Sequence, residues 1–298
     1  MPQVLLAGLS TIDIQYFVDK YPESNQKVKC DPPEILVGGP AANAAVAFSY
    51  LNGDSHLLTA IGNHPFRPYF ENDFLNFGVQ TIDFISGIEV EPVMASVVTN
   101  FNGERTILSH HPKNHCVDYN PAEILNKIKP ELVFVDGFYP HMTVELCKAA
   151  KRIGIPIIFD GGSWKDHLIE VIPYLDIAIC SADFRPPNTN TEKEVLDFFV
   201  KNNIGKIAIS RGERPIICCE DGVVSEIQVS RHPIVDSLGA GDFLHGAFCY
   251  YWLQSRNFKE SLHLASQFAS ATCQYKGTRA FYNKLDRKKF QSIFFHNL

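Results

Sequence analysis

The sequence predicts an α/β fold in which a mainly parallel sheet is covered by helices on both faces. From about residue 131 onward, short strand segments alternate regularly with helical segments. The strand segments are apolar throughout, as expected for strands buried on both faces. Two β-rich stretches, at about 14–37 and 91–110, lack helices between their strands, which predicts a small separate sheet. We expect one domain spanning residues 1–298.

The N-terminal third supplies the first strands and helices of this arrangement. Short apolar runs bounded by polar residues predict strands, and Gly78 ends the second predicted helix. The pair Asn102-Gly103 predicts a hairpin turn between two β-rich runs. The predicted strands are Val4–Ser10, Ile14–Asp19, His56–Gly62, Val93–Thr99 and Thr106–Ser109, and the predicted helices are Ala41–Leu51 and Phe70–Phe77.

The remainder of the chain continues the alternation, with right-handed crossovers between parallel strands. A hairpin is predicted around Asp221-Gly222, and two helices finish the chain. The predicted strands are Leu132–Val135, Pro156–Asp160, Ile177–Cys180, Lys206–Ser210, Pro215–Cys219 and Val223–Val229. The predicted helices are Val144–Ile153, His167–Leu175, Glu192–Asn202, Ala240–Leu253 and Lys259–Lys276.

Composition and charge exclude several classes of protein. Of 298 residues, 45% are hydrophobic and 20% are charged, the ordinary globular mixture. A net charge of −6 argues against a nucleic-acid or anionic-membrane partner, because both need a basic surface. The N-terminus has no basic segment before its short apolar run, and no apolar stretch reaches the roughly 20 residues of a membrane helix. We expect no signal peptide and a cytoplasmic location.

The eight cysteines form no C-x-x-C pair and no His/Cys cluster with zinc spacing. Most lie in apolar runs, where a free thiol behaves as a small hydrophobe, and reduced thiols favour the cytosol. Cys218 and Cys219 are neighbours in a predicted strand, so they point to opposite faces. The histidines His110, His111 and His115 follow a strand of the small sheet, and surface packing is favoured over metal binding.

The segment Asp236–Asp242, with the sequence Asp-Ser-Leu-Gly-Ala-Gly-Asp, carries the strongest chemical signal. It follows the extended segment Arg231–Val235 and opens a helix, so we expect a strand-to-helix corner. Glycines there let backbone N–H groups approach a ligand, and the helix dipole favours an anion such as a phosphate. A carboxylate in such a site repels phosphate unless it deprotonates an attacking hydroxyl, which is the role predicted for Asp242. The alternative is that Asp242 is an ordinary N-terminal helix residue.

Other phosphate-binding motifs are absent. The sequence contains no G-x-x-x-x-G-K-[ST], and the glycines 239, 241 and 246 do not fit G-x-G-x-x-G. Asp136-Gly137-Phe138 is not accompanied by a protein-kinase catalytic loop. P-loop, dinucleotide-binding and protein-kinase interpretations are therefore excluded.

Two N-terminal features indicate a site for a hydroxylated ligand. In Gly38–Asn43 the small residues allow a close approach of backbone, and the Asn43 amide can donate to and accept from hydroxyls. Asp13 comes just after a buried strand, where open α/β sheets bind ligands, and its carboxylate can accept from two hydroxyls. The alternatives are a turn before a tightly packed helix and a loop aspartate that faces water.

Together, these segments resemble the signatures of the ribokinase-like carbohydrate kinases, the PfkB family. Asp236–Asp242 resembles the family's D-T-x-G-A-G-D, with Ser237 in place of Thr, and Gly38–Asn43 resembles its G-G-x-x-x-N sugar-binding turn. The resemblance covers nearly the whole chain. It implies a ribokinase-like three-layer α/β/α domain with a mainly parallel sheet, and a small β-sheet lid built from segments 14–37 and 91–110.

The resemblance also implies ATP-dependent phosphorylation of a fructose- or ribose-like sugar, with Asp242 as general base. ATP and Mg²⁺ are the implied cofactors, some members use K⁺, and lid strands often pair between subunits in a homodimer. The implied roles are phosphoryl stabilisation by the amides of Gly239, Ala240 and Gly241; sugar binding by Asp13, Gly39, Asn43 and Arg105; nucleotide binding by Ser181, Ser210, Gly212, Gly239 and Gly241; and a monovalent-cation site at Asp236 and Gly277. Arg105 has the alternative of being an exposed strand charge.

One motif of the family is missing. Many relatives organise Mg²⁺ with N-x-x-E, and the matching strand end here is Ser181-Ala182-Asp183-Phe184. Asp183 is the nearest substitute. Two other functions stay open: a nucleoside or vitamin-precursor kinase of the same fold, with Phe17 and Phe101 as stacking candidates, and a non-catalytic sugar or nucleotide sensor.

Overall fold

The computed structural model describes residues 1–100, 105–110 and 119–291. Its main element is a nine-stranded sheet with the order β13-β12-β11-β10-β9-β8-β1-β4-β5. All neighbours from β11 to β5 are parallel, and the last two strands form antiparallel pairs. The strands, numbered along the chain, are β1 Gln3–Ala7, β4 Asp54–Thr59, β5 Val79–Asp83, β8 Leu132–Val135, β9 Ile157–Gly161, β10 Ile177–Ser181, β11 Lys206–Arg211, β12 Arg214–Glu220 and β13 Val223–Ile227.

A second sheet of four strands has the order β3-β2-β6-β7. The central pair β2–β6 is parallel, and the two outer pairs are antiparallel. The strands are β2 Thr11–Val18, β3 Glu34–Gly38, β6 Met94–Asn100 and β7 Arg105–His110. This confirms the predicted small sheet. β6, which corresponds to the predicted strand Val93–Thr99, lies between β2 and β7, so it is not an edge strand. The Asn102-Gly103 turn, Phe101, His111 and His115 lie outside the described residues.

Helices cover both faces of the large sheet, which confirms the three-layer α/β/α architecture. In β1, Val4 and Leu6 join one buried cluster, with α1, α2, α6 and α7, whereas Leu5 and Ala7 join the other, with α3, α4 and α5. Burial on both faces explains why the strands are apolar throughout. The helices are α1 Pro40–Tyr50, α2 Arg67–Asn76, α3 Pro121–Ile128, α4 Pro140–Arg152, α5 Glu192–Lys201, α6 Ala240–Ser255, α7 Phe258–Thr272, α8 Phe281–Lys284 and α9 Arg287–Gln291.

The structure confirms the prediction for Cys218 and Cys219 but not the helix predicted at His167–Leu175. Cys218 and Cys219 lie in the two opposite clusters, as predicted, and both are free thiols. The predicted helix His167–Leu175 was wrong, since two 3₁₀ helices, Asp166–Glu170 and Ile172–Tyr174, stand there. Pro173 explains the break, because proline removes a helical donor and disfavours the helical conformation at the preceding residue.

The topology provides a crevice at the carboxyl ends of the strands. From β1 the chain builds outward through β4 and β5 and then returns to place β8 on the other side of β1. Open α/β sheets bind ligands at such a reversal of strand order. Over the described stretches, no helix combines the length and the apolarity that crossing a bilayer requires.

A buried carboxylate fixes the position of α1 at this crevice. Asp136, just past β8, accepts hydrogen bonds from the backbone N–H groups of Leu9 (2.8 Å), Ala41 (3.2 Å) and Phe138 (3.1 Å). The N-terminus of α1 is thereby held beside the ends of β1 and β8. A Cβ at Gly8 would stand 2.1 Å from the Asp136 carboxyl carbon, so only glycine fits there. Burial raises the pKa of Asp136 to about 6.

Candidate active site

The two segments with the strongest sequence signals meet at the crevice. The Asn43 amide Nδ2 donates to Asp242 Oδ2 at 2.7 Å, across 199 positions of sequence. Asn43 lies in the first turn of α1 and Asp242 in the first turn of α6, and these two helices pack side by side. The carboxylate and the Gly38–Asn43 turn therefore border the same space.

The surroundings of Asp242 disfavour its ionised form. Burial is the main cause that raises the pKa of Asp242, and the nearby Asp160 carboxylate adds to it. The Asn43 hydrogen bond, His245 and Arg105 act in the opposite direction. A carboxylate with a raised pKa is a better proton acceptor than an exposed one, provided that it is ionised at the working pH.

Asn43 is itself held by a buried arginine. Arg279 Nη1 donates to Asn43 Oδ1 at 2.7 Å. The other side of the same guanidinium faces Asp73, with Nε 3.0 Å and Nη2 2.9 Å from Oδ2. Asp73, Arg279, Asn43 and Asp242 thus form one continuous chain of hydrogen bonds from α2 to α6.

Asp13 is part of the small sheet and borders the same crevice. It lies within β2 and is 7% exposed, so the alternative of a loop aspartate that faces water is wrong. Thr11 Oγ1 donates to its Oδ1 at 2.6 Å, and a Cβ at Gly38 would come within 2.0 Å of its Oδ2. Burial raises the Asp13 pKa, whereas Thr11 and the charge of Arg279 lower it.

The turn before α1 needs glycine at two successive positions. Gly39 has φ +99°, and a Cβ there would lie 2.3 Å from the Leu9 carbonyl oxygen. Side chains rarely adopt such a conformation, so Gly39 shapes the turn through its missing Cβ.

The loop before α6 presents backbone amides beside Asp242. Gly239 is left-handed, with φ +75°, and caps the helix. The Ala240 N–H donates to the Ser237 carbonyl at 3.2 Å, so this amide is occupied, contrary to the expectation that all three amides face a ligand. Within the described part of the chain, the N–H groups of Gly239 and Gly241 have no such partner, as is usual before and in a first helical turn. The corner does not follow a strand, because 228–235 belongs to neither sheet and Pro233 lacks an N–H.

The small sheet contacts this loop directly. Gln15 Nε2, on the same face of β2 as Asp13, donates to Asp236 Oδ2 at 2.9 Å. Arg105 Nη1, in β7, donates to Ser237 Oγ at 3.1 Å. Asp236 also accepts from the N–H groups of Leu238 (2.9 Å) and Gly277 (3.0 Å). Asp236 and Gly277 are therefore neighbours, as the cation-site expectation requires, but three N–H donors already stabilise the Asp236 carboxylate.

The residues expected beside the nucleotide lie at the ends of adjacent parallel strands. Ser181 closes β10, and its Oγ donates to the Gly162 carbonyl at 2.8 Å. Ser210 lies near the end of β11, and Gly212, with φ +64°, forms the turn that follows. Asp183 is exposed just past β10. In the described ranges no three acidic, His or Cys side chains converge to hold a metal ion.

Several residues of the site escaped the sequence analysis. Asp160 ends a predicted strand and is 6% exposed, so its position at a carboxyl strand end was an available signal. His245 is buried on α6, with its ring nitrogens 2.7 Å from the Gly241 carbonyl and 3.1 Å from the Ile179 carbonyl. Gln15, Asp73 and Arg279 gave no local signal, because their partners lie far away in sequence.

Comparisons with known proteins find relatives that match nearly the whole chain. The chain is 23% identical over 302 residues to the ribokinase of Lactococcus lactis, covering 97% of this chain and 96% of the relative. It is 21% identical over 285 residues to a nucleoside kinase of Methanocaldococcus jannaschii, covering 93% and 92%. The solved structure of Arabidopsis thaliana ribokinase complexed with ribose and ATP superposes with a TM-score of 0.75 at 20% identity, covering 97% of each chain.

The family assignment comes from the match over most of the chain. The sequence profile described as pfkB family carbohydrate kinase matches residues 1–285. The Gly38–Asn43 turn and the Asp236–Asp242 loop, which carry the family resemblance, lie within that match and border one crevice. The chain belongs to the PfkB family of carbohydrate kinases, phosphotransferases that act on an alcohol group of their acceptor.

Proposed function

We propose that this kinase transfers the γ-phosphoryl group of MgATP to a hydroxyl of a fructose- or ribose-like sugar, with Asp242 as general base. The observation that carries the proposal is the 2.7 Å contact between Asn43 and Asp242. This contact supports the proposal because it joins the proposed proton acceptor to the turn that is proposed to bind the sugar. The ribose and ATP bound in the related plant enzyme are consistent with this substrate class.

In this mechanism, Asp13, Asn43 and the Gly39 backbone hold the sugar so that one hydroxyl faces Asp242. Asp242 accepts the hydroxyl proton as the oxygen attacks the γ-phosphorus, and ADP leaves from the opposite side. The N–H groups of Gly239 and Gly241, at the positive end of α6, stabilise the charge on the migrating phosphoryl group. Phosphoryl transfer asks little covalent chemistry of a protein, so positioning and charge stabilisation supply most of the rate.

Mg²⁺ enters this proposal as part of the substrate MgATP. Magnesium is commonly held by phosphates, waters and one or two carboxylates rather than by an all-protein cage. The chain offers Asp160 and Asp183 near the strand ends, and Asp183 stays the predicted substitute for the missing N-x-x-E. A potassium site at Asp236 and Gly277 stays a prediction, and the mechanism given above does not depend on this ion.

We further propose that the small sheet acts as a lid over the sugar. Asp13, Gln15 and Arg105 all belong to it, and two of them reach the loop before α6. A closed lid excludes water, which would otherwise compete with the sugar for the phosphoryl group.

The lid is also the surface through which we propose that two copies associate. Its edge strand β7 is exposed along its length, with Leu108 69% and Ile107 47% exposed. Exposed edge strands pair readily with another strand. Light scattering during size-exclusion chromatography measures the molar mass of the protein in solution. A monomeric mass at micromolar concentration contradicts this assembly.

Replacing Asp13 with Asn should raise the KM for the sugar by about 10–100-fold, because a hydrogen bond to a charged group contributes about 1.5–3 kcal/mol. The KM for ATP should stay unchanged, since Asp13 faces the acceptor side. Initial-rate kinetics with each substrate varied in turn measure both constants. Asp19→Asn, an exposed carboxylate one residue past β2, is the matched control. An equal rise in both KM values contradicts the assignment of Asp13 to the sugar.

The dependence of kcat/KM on pH should reflect the ionisation of the Asp242 carboxyl group. The base works only when ionised, and its pKa is raised, so kcat/KM should fall with decreasing pH well above the ordinary aspartate value of about 3.9. Steady-state rates from pH 4 to pH 9, corrected for loss of fold by circular dichroism, measure this limb. An acidic limb at or below the ordinary value contradicts a raised pKa.

A nucleoside acceptor is the second candidate, favoured by the archaeal nucleoside kinase relative. Phe17, a proposed stacking residue, instead faces Lys276, whose Nζ lies 3.7 Å from the ring centre. Coupled ADP production with fructose, ribose, gluconate derivatives and adenosine separates the candidates. Turnover with a free sugar supports the first and turnover with adenosine alone supports the second. ATP or sugar binding without any turnover supports the sensor alternative.

A further inference from the structure

Arg279 occupies an unusual position for a charged residue. It is 8% exposed, follows α7, and carries no motif that the sequence analysis singled out. Burying a guanidinium is costly unless partners satisfy it. Here the N–H groups are engaged by Asp73, by Asn43 and by the Thr278 carbonyl at 3.1 Å. Arg279 therefore has little capacity left to bind the substrate itself.

The chemistry of these partners determines which way the Asn43 amide faces. Arginine is only a donor, so the atom next to it must be Oδ1, and an ionised carboxylate is only an acceptor, so Nδ2 must face Asp242. Without Arg279, the amide loses the contact that distinguishes its two ends. Asn43 could then turn its oxygen toward Asp242 or leave the carboxylate altogether.

We propose that Arg279, clamped by Asp73, is a positioning residue that orients the Asn43 amide toward Asp242 and so sets the placement of the base. The proposal rests on the proposed role of Asp242. The charged groups that shift the Asp242 pKa are Asp160 in β9, Arg105 in β7 and His245, which lies on α6 like Asp242 itself. Arg279 contacts Asp242 only through Asn43. Arg279 also faces Asp13, so removing it affects both carboxylates of the acceptor side.

The clamp explains why arginine is needed rather than any cation. Its planar fork reaches Asp73 with Nε and Nη2 while Nη1 reaches Asn43. A lysine ammonium is a point charge on a flexible stem and cannot hold both partners in this geometry. Charge and geometry can therefore be separated experimentally.

The test uses kinetic constants of the full-length protein. Arg279→Met should lower kcat by about 10–100-fold, the cost of misplacing reacting groups by about an ångström. Arg279→Lys should not restore it, although it keeps the charge. In an Asn43→Ala background, Arg279→Met should change kcat less than about 3-fold, because the amide through which it acts is gone. Full rescue by lysine, or losses that multiply in the double variant, overturns the proposal.

Two further variants guard against loss of fold. Asp73→Asn combined with Arg279→Met removes both buried charges together, so no charge is left unpaired, and it should show the same loss of kcat with a cooperative melting transition. Arg67→Lys is the matched control. Arg67 lies in α2, as Asp73 does, and it pairs with Asp83 of β5 at 2.7 Å, but this pair makes no contact with Asp242. It should leave kcat unchanged.

A structural measurement separates this proposal from the proposed function. In a crystal structure of the Asp73→Asn, Arg279→Met protein, the distance from Asn43 Nδ2 to Asp242 should exceed 3.5 Å. A retained contact near 2.7 Å overturns the positioning role whatever the enzyme phosphorylates. A broken contact with kcat unchanged instead contradicts Asp242 as the base.

Discussion

Replacing Asp242 with Asn is expected to lower kcat by about 10²–10⁴-fold, the range usually contributed by a general base. The amide keeps the shape of the carboxylate and can still accept from Asn43, but it cannot take up a proton at neutral pH. Single-turnover measurement of the transfer step checks this value. Binding of ATP, measured by calorimetry, should persist, because the loop amides and the strand ends that we propose to bind it are unchanged.

The substitution should not destabilise the protein through its charge. The pKa of Asp242 is raised in the folded state, so ionisation costs stability at every pH above the unfolded value, and the neutral amide removes that cost. A melting temperature at pH 7 equal to or above that of the parent protein is expected. The loss of kcat can then be assigned to chemistry.

Glu260→Gln is the matched control for this substitution. Glu260 lies in the first turn of α7, as Asp242 does in α6, and it also gains from the helix dipole. If Asp242 were only a favourable N-terminal charge, the two variants should behave alike. Near-normal turnover in Asp242→Asn contradicts the assignment of the base.

Local patterns predicted most of the main sheet because its central strands, such as β1, β8 and β9, are buried on both faces. The run Leu132–Val135 coincides with β8. β5 was missed, since in this edge strand only Val79 is fully buried, three of its five residues are polar, and it borders only β4. Helix α3 was missed as well, although Pro121 and the Asn120 cap mark its start. Both elements carry too short an apolar pattern to stand out from loops.

The residues of the candidate site were predictable only where their role depends on the local sequence. Gly39 and Asp242 were predictable because glycine conformations and helix starts are local properties. Arg279 was not, because its partners Asp73 and Asn43 lie 206 and 236 positions away. The occupied amide of Ala240 was also unforeseen, since a turn bond to Ser237 depends on the loop conformation.

Gly246→Ala is expected to lower kcat by about 10²-fold and to destabilise the protein by about 1–3 kcal/mol. A Cβ at position 246 would lie 2.1 Å from the Ala44 carbonyl oxygen, which is backbone and cannot turn aside. The new methyl group must therefore push α1 away from α6. Gly246 is one helical turn after Asp242, and Ala44 follows Asn43, so the displacement acts directly on their 2.7 Å contact.

Gly154→Ala separates this effect from general loss of stability. Gly154 follows α4 with φ +74° and has open space around its Cβ position, so alanine there adds backbone strain of about 1–2 kcal/mol and no clash. Urea unfolding should show comparable losses for both variants. Turnover, measured well below both melting temperatures, should fall only in Gly246→Ala, because only that methyl group separates α1, which carries Asn43, from α6, which carries the proposed base Asp242. An equal kcat in the two variants would mean that the spacing of α1 and α6 does not control the reaction.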